Sequence, residues 1–278
     1  MRSIIQTIAV ASAVLFCVGA AAPERIDYTL SPIVQDGALQ AVQIDLNFRG
    51  EADGETILRL PDHWGGQIEL YRAIEGLAVV SGATLRDGEG PAQRLLSHRP
   101  NARIHLRYRL IQDWDGVPRA ELGNTYRAVI QPTYFHFVGE SAFISPDSAN
   151  RDTPVRVRVR NLPRGWSFAS DLEHEGLKLD RLWSSIAIGG DFRVLRDPET
   201  NVRVAMRGSW SFTDAALMQE VAHIIGGQRS FWDDPASPYL VTVLQLTGPE
   251  GWISVGGTGL GDAFSFFATA NDARDFLH

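Results

Sequence analysis

The 278-residue chain carries 33 acidic and 26 basic side chains, a formal net charge of −7, and one cysteine, Cys17. An acidic balance of this size argues against a nucleic-acid partner, which wants a basic face. With 44% apolar residues the chain can bury the cores of two ordinary domains. Once Cys17 is removed it has no disulfide, thiolate metal site or cysteine nucleophile.

The first 22 residues read as a secretory signal. Met1-Arg2 is a short positive region, Ile4 to Gly19 is apolar apart from Gln6, Thr7 and Ser12, and Val18-Gly19-Ala20 places small residues at a cleavage site. An uncleaved anchor is the alternative, although the stretch is short for a bilayer, and a lipid-modified Cys17 is a third option that Phe16 disfavours. Export to the periplasm or the extracellular medium is therefore expected, with no membrane span afterwards.

From Ile26 to about Val138 the period is two. Val42, Ile44, Leu46 and Phe48 alternate with Gln43, Asp45, Asn47 and Arg49, and Ile104, Leu106, Tyr108 and Leu110 alternate with His105, Arg107 and Arg109. One face of each strand then meets a core and the other meets water. Turn pairs such as Asp53-Gly54, Asp87-Gly88 and Asp115-Gly116 separate these runs. Residues 23–150 are thus expected to form a β sandwich or saddle-like domain, and 151–200 a β-rich connection. In that connection Val155, Val157 and Val159 alternate with Arg156, Arg158 and Arg160. The arginine row reads as the wet face of a strand, with an anion-binding stripe as the alternative.

Residues 201–278 change character. Val202, Val204 and Met206 form a strand. Thr213 caps a helix with Leu217, Val221, Ile224 and Ile225 on its apolar face, and Gly226-Gly227 is expected to stop it. Tyr239 to Leu246 reads as a buried strand and Trp252 to Val255 as a short one, followed by Gly256-Gly257-Thr258-Gly259 and a run through Phe264, Phe266 and Phe267. Asn271 or Asp272 then caps the first turn of a helix that reaches His278.

No catalytic constellation is visible. His174-Glu175 begins a zinc-helix pattern, but Lys178 stands where the second histidine belongs, so His174 is a loop residue. His223 reads as a packed or half-buried histidine near the apolar face of its helix. Ser254 and Ser265 lack a nucleophile-elbow signature. Glu173, Glu175 and Asp180 read as solvated charges, although a carboxylate pair brought together in space stays open. The Gly256–Gly259 cluster has neither the Lys-Ser/Thr of a phosphate loop nor, on this reading, a surrounding parallel βαβ unit. It is a tight turn or bulge, or a place where another backbone approaches closely, such as a peptide pairing with an edge strand.

The order of elements resembles the front part of the glycyl aminopeptidase family of gluzincin metallopeptidases. Leu60-Pro61-Asp62-His63-Trp64 and Leu162-Pro163-Arg164-Gly165-Trp166 resemble the family's two Leu-Pro-x-x-Trp elements, and the helix from Thr213, the strand Tyr239 to Leu246 and the glycine-bearing strand Gly251 to Phe267 follow in the family's order. The resemblance implies a β-rich N-terminal domain followed by the α+β beginning of a thermolysin-like catalytic domain. It also implies that Gly256, Gly257 and Thr258 line a cleft and pair with a peptide substrate. The family's zinc helix, H-E-x-x-H, has no counterpart in the sequence. The expectation is therefore zinc in the full-length family and none bound by this chain, with no catalytic residue or metal ligand here; His278 belongs to the approach turn or would be a first ligand. The competing expectation is a stand-alone β-sandwich binding module in which Trp64, Trp114 and Trp166 form a ligand platform.

Overall fold

The alternation seen in the sequence becomes strand after strand in the computed structural model, which describes residues 25–120, 124–234 and 237–270. The signal segment, the final helical turn and His278 lie outside the described residues. In chain order the strands are β1 (Ile26–Gln35), β2 (Ala38–Arg49), β3 (Glu55–Arg59), β4 (Ile74–Ser81), β5 (Ala83–Asp87), β6 (Gln93–His98), β7 (Arg103–Leu110), β8 (Val129–Gln131), β9 (Tyr134–Val138), β10 (Ser145–Pro146), β11 (Val155–Val159) and β12 (Ser167–Ser170). The short helix α1 (Leu179–Trp183) precedes β13 (Ile186–Gly190), β14 (Arg193–Asp197) and β15 (Val202–Arg207). Helix α2 (Asp214–Trp232) precedes β16 (Tyr239–Leu246), β17 (Val255–Leu260) and β18 (Ala263–Thr269).

Four sheets result, ordered β11-β1-β2-β7-β4, β10-β3-β6-β5, β12-β13-β9-β8 and β14-β15-β16-β18-β17. The β1–β2 hairpin turns on Asp36 and Gly37, both at positive φ, as a two-residue hairpin requires. In the first sheet Tyr28, Leu30, Ile44, Leu46, Leu106 and Tyr108 are buried on one side. The Tyr28 and Tyr108 hydroxyls donate to the carbonyls of Ile144 (2.8 Å) and Ala142 (3.1 Å), so each buried polar tip has a partner. The third sheet is covered on both faces. Phe135, Phe137 and Ala187 join the core of the first two sheets, whereas Tyr134, Val138, Ile186 and Ile188 face the fourth sheet. The far face of the fourth sheet carries α2 through Leu217 and Val221, which pack on Val202, Val204, Met206, Val241 and Val243. The architecture is mainly β, with an α/β element at its C-terminal end.

Two sequence expectations are corrected here. The helix does not stop at Gly226-Gly227 but runs to Trp232, with Asp233 in the left-handed region as its C-cap. Glycine costs about 1 kcal/mol per helical position. That cost is offset by the packing of Ile225 on the sheet and by the Arg229 guanidinium, which donates to the carbonyls of Thr200 and Ser237 beside the last turn. His223, expected to be packed or half-buried, is exposed. The N-terminus is as expected: Thr213 Oγ1 accepts from the Ala216 N–H at 3.1 Å. Thr213→Ala is expected to cost about 1 kcal/mol, read as an earlier midpoint in urea unfolding followed by circular dichroism.

Candidate peptide-binding edge

Strand β17 is the outermost strand of the fourth sheet. It pairs antiparallel with β18, Gly256 opposite Phe267, Gly257 opposite Phe266 and Thr258 opposite Ser265. No strand pairs with its other side among the described residues. The glycines therefore do not follow a strand ending at Val255, as the sequence suggested; they form the strand itself. A second correction concerns the surroundings. Strands β15 and β16 are parallel and joined by α2, and β16 is parallel to β18, so a βαβ unit does stand beside the glycines. The glycines nonetheless lie two strands away from that crossover, at the sheet edge, and not at the helix N-terminus where a phosphate would be held.

The two neighbouring glycines have different reasons. A Cβ on Gly256 would point into open space, whereas one on Gly257 would lie 2.6 Å from the Phe264 ring and 2.6 Å from the Ser265 carbonyl oxygen. Gly257 thus lets β17 lie close on β18. Gly256 leaves the outer surface bare, which an extended peptide lying alongside needs.

One of the two Leu-Pro-x-x-Trp elements reaches this edge. After Trp64 the chain turns through Gly65 and Gly66, both at positive φ, and the turn is closed by paired backbone hydrogen bonds between Trp64 and Gln67. Trp64 stands edge-on to Tyr126 with centroids 5.4 Å apart, and Tyr126 stands edge-on to Phe267. The Tyr126 hydroxyl donates to the Gly257 carbonyl at 3.4 Å, a long and weak bond. A cleft of about 560 Å³ opens beside Trp64, lined by His63, Glu140, Arg151 and Trp183. Glu140 is half-buried there, and burial raises its pKa against the pull of His63, Arg151 and Arg59. Neither Tyr126 nor Glu140 was legible as a site residue, because each acquires its neighbours only through the tertiary fold.

The other candidates disperse. Trp166 packs on the core of the first two sheets, while Trp64 and Trp114 pack against the core between the third and fourth, so the three tryptophans form no single platform. His174 sits in an exposed loop. Glu173 forms an ion pair with Arg203 and Asp180 one with Arg151; Glu175 is exposed. Ser265 has a partner that sequence spacing could not show, His136, whose Nε2 lies 3.0 Å from its Oγ. Thr242 donates to the same oxygen at 2.7 Å. Both Ser265 and His136 are fully buried, so no substrate carbonyl reaches this pair. Among the described residues no group of three or more His, Cys, Asp or Glu side chains could hold a metal ion. A catalytic zinc needs about three protein ligands, so the described residues do not fit one.

No family profile and no curated protein matches this chain in sequence. Its fold does have solved counterparts, and these are aminopeptidase N-type zinc metallopeptidases of the M1 family. An aminopeptidase N family protein from Idiomarina loihiensis superimposes with a TM-score of 0.69 at 16% identity, over 88% of this chain and 42% of that one. An M1 zinc metallopeptidase from Deinococcus radiodurans gives 0.48 at 15% identity, over 94% of this chain and 63% of that one. The chain thus spans less than half the length of the first and under two thirds of the second, and at these identities the likeness is one of fold.

Proposed function

We propose that this chain supplies the β-rich half and the cleft-edge strand of an exported zinc aminopeptidase of the glycyl aminopeptidase type. In this reading Gly256, Gly257 and Thr258 pair with the backbone of a peptide substrate and position it, while the metal and the groups that activate water come from outside the described residues. The observation that carries the reading is the open outer edge of β17, glycine-bare and braced from behind by the Trp64–Tyr126–Phe267 aromatic contact. An unpaired strand edge of this kind is a template for an added strand: main-chain hydrogen bonds supply affinity, and neighbouring pockets supply selectivity. The aminopeptidase-type fold supports the same reading.

The test uses protein immunopurified from its native source with an antibody against the recombinant chain. It is expected to carry about one zinc per molecule by elemental analysis and to release glycine from the N-terminus of a short peptide. The recombinant 278-residue chain, given excess zinc, is expected to release none. Native protein free of zinc and inactive would overturn the proposal, as would peptide hydrolysis by the recombinant chain.

A further inference from the structure

The arginine row of β11 does not end at β11. Strand pairing puts Arg156 beside Asp27, Asp27 beside Asn47, Asn47 beside His105 and His105 beside Ser81, one continuous polar row across all five strands of the first sheet. The next row holds Arg158, Thr29, Asp45 and Arg107, a third holds Ser31, Gln43, Arg109 and Glu75, and Arg49 pairs with Arg103 at the end. On β1, β2, β7 and β11 these positions, apart from the buried Ser31, alternate with the buried residues of their strands, so they share the outer face, and Glu75 and Ser81 of β4 are exposed beside them. Arg25, just before β1, and Arg160, just after β11, extend it.

This face carries eight arginines (25, 49, 103, 107, 109, 156, 158 and 160) against three carboxylates (Asp27, Asp45 and Glu75), a surplus of five positive charges on a chain whose formal net charge is −7. The carboxylates are engaged. Asp45 takes His105 (2.7 Å) and Arg107 (2.8 Å), Glu75 takes Arg109 (2.6 Å), and Asp27 sits between Arg25 (3.3 Å) and Arg156 (2.5 Å), the last contact being ionic and not an aligned hydrogen bond. Arg103, Arg158 and Arg160 are exposed and have no ion-pair partner among the described residues. At one end a cleft of about 450 Å³ is lined by Arg25, Arg49, Arg103 and His105.

We infer that this face docks the protein on a membrane surface rich in anionic phospholipid headgroups. Three observations select that occupant. The charge is spread in two dimensions over a sheet some 20 Å wide, at ~4.8 Å between strands, and follows no groove that would track a polymer chain. The outward positions 27–31, 43–49, 103–109 and 156–160 hold no Trp, Tyr or Phe on which nucleic-acid bases would stack. These positions also present no large apolar side chain to insert among lipid tails, and Val80 on β4 is a single exposed apolar residue beside them, so the attachment is electrostatic in the main and reversible by salt. The acidic remainder of the molecule does not oppose docking, because charges beyond about 8–10 Å of the surface are screened.

The experiment is co-sedimentation of the full chain with vesicles of equal phosphatidylglycerol and phosphatidylcholine, against phosphatidylcholine alone. Binding to the first only, released by salt, is expected. The pair Arg158→Gln and Arg160→Gln should weaken it roughly 25-fold, at about fivefold for each arginine removed near an anionic surface. Arg119→Gln with Arg196→Gln, exposed arginines off this face, removes the same charge and should leave binding within about twofold. Equal loss in both pairs, equal binding to neutral vesicles, or no binding at low salt would overturn the inference. So would displacement by inorganic phosphate at matched phosphate concentration, which would mark a small-anion site, or tighter binding to duplex DNA than to vesicles.

Discussion

Replacing Gly257 with alanine is expected to cost roughly 2 kcal/mol of stability, while Gly256→Ala is neutral or stabilising by up to about 1 kcal/mol. The two residues are adjacent in the same edge strand, so strand propensity and net exposure predict nearly equal effects. What separates them is the side of the strand. The new methyl at 257 meets the Phe264 ring and the Ser265 carbonyl, both at 2.6 Å, and the methyl at 256 meets nothing. The Ser265 backbone is not free to retreat, because its side chain is held by Thr242 and His136 inside the seam between the third and fourth sheets. The strain must go into tilting β17 away from β18. Urea unfolding of both variants reads the difference directly, and equal midpoints would show that the close approach at Gly257 does not exist. The consequence extends to the proposed function: Gly257→Ala should weaken peptide binding together with stability, because a displaced edge strand presents its hydrogen-bonding groups out of register, whereas Gly256→Ala, whose methyl stands on the bare surface, should weaken peptide binding with no loss of stability.

How far the sequence could be read follows from which faces are wet. The strands β1, β2 and β7 have one solvated face, so Ile44/Asp45 and Leu106/Arg107 alternate and announce themselves. Strands β9 and β13 are buried on both faces, so Tyr134–Val138 and Ile186–Gly190 carry no period that would single them out. The glycine pairs misled in opposite directions. Gly226-Gly227 looked like a helix stop and is helix interior, held by tertiary contacts that local propensity does not contain; Gly256-Gly257 looked like a strand end and is strand. The edge position of Gly256, Gly257 and Thr258 was one of two readings of the glycine cluster, beside a tight turn or bulge, and the family resemblance selected it. The link between Trp64 and Gly257 passes through Tyr126, and the link between Ser265 and His136 spans 129 positions; no local spacing encodes either. The arginine stripe was visible on one strand, but its continuation over four neighbours depends on register.

The seam between the third and fourth sheets also holds two groups whose titrations oppose each other, and this leads to the second large expected effect. Burial lowers the His136 pKa from 6.5 to about 4. With Thr242 donating to Ser265, the serine proton goes to His136 Nε2 and the ring proton sits on Nδ1, which has no hydrogen-bond partner among the described residues. Burial raises the Asp171 carboxyl from 3.8 to about 7, although it accepts from the Ile186 N–H at 2.9 Å, with Asp262 adding to the rise and Arg181 opposing it. The signs follow from proton counts. Between about pH 4 and 6.5 the unfolded chain protonates its histidine and the folded chain does not, so the His136 contribution is full above 6.5 and is lost as pH falls toward 4. Between about 3.8 and 7 the folded chain protonates Asp171 and the unfolded chain does not, so that contribution is full at low pH and is lost as pH rises toward 7. Each slope is about 1.4 kcal/mol per pH unit, and in the intact protein they nearly cancel.

Removing one group should expose the other. Asp171→Asn keeps an acceptor for Ile186 and leaves the His136 slope, so its stability should rise by about 3 kcal/mol from pH 4 to 6.5. His136→Gln keeps an amide oxygen to accept from Ser265 and leaves the Asp171 slope, so its stability should fall over the same interval by a similar amount. Glu140, also raised by burial, tilts all three proteins the same way and does not affect the comparison. Asp45, Asp152 and Asp197 are shifted downward, so they titrate below the interval. Urea unfolding at several pH values across it gives three profiles, one nearly flat and two of opposite slope. Parallel profiles would mean that water reaches the seam and that neither group is held in its buried state. Opposite slopes would establish that the contact between the two halves, which sets where the β17 edge lies, is dry and tight.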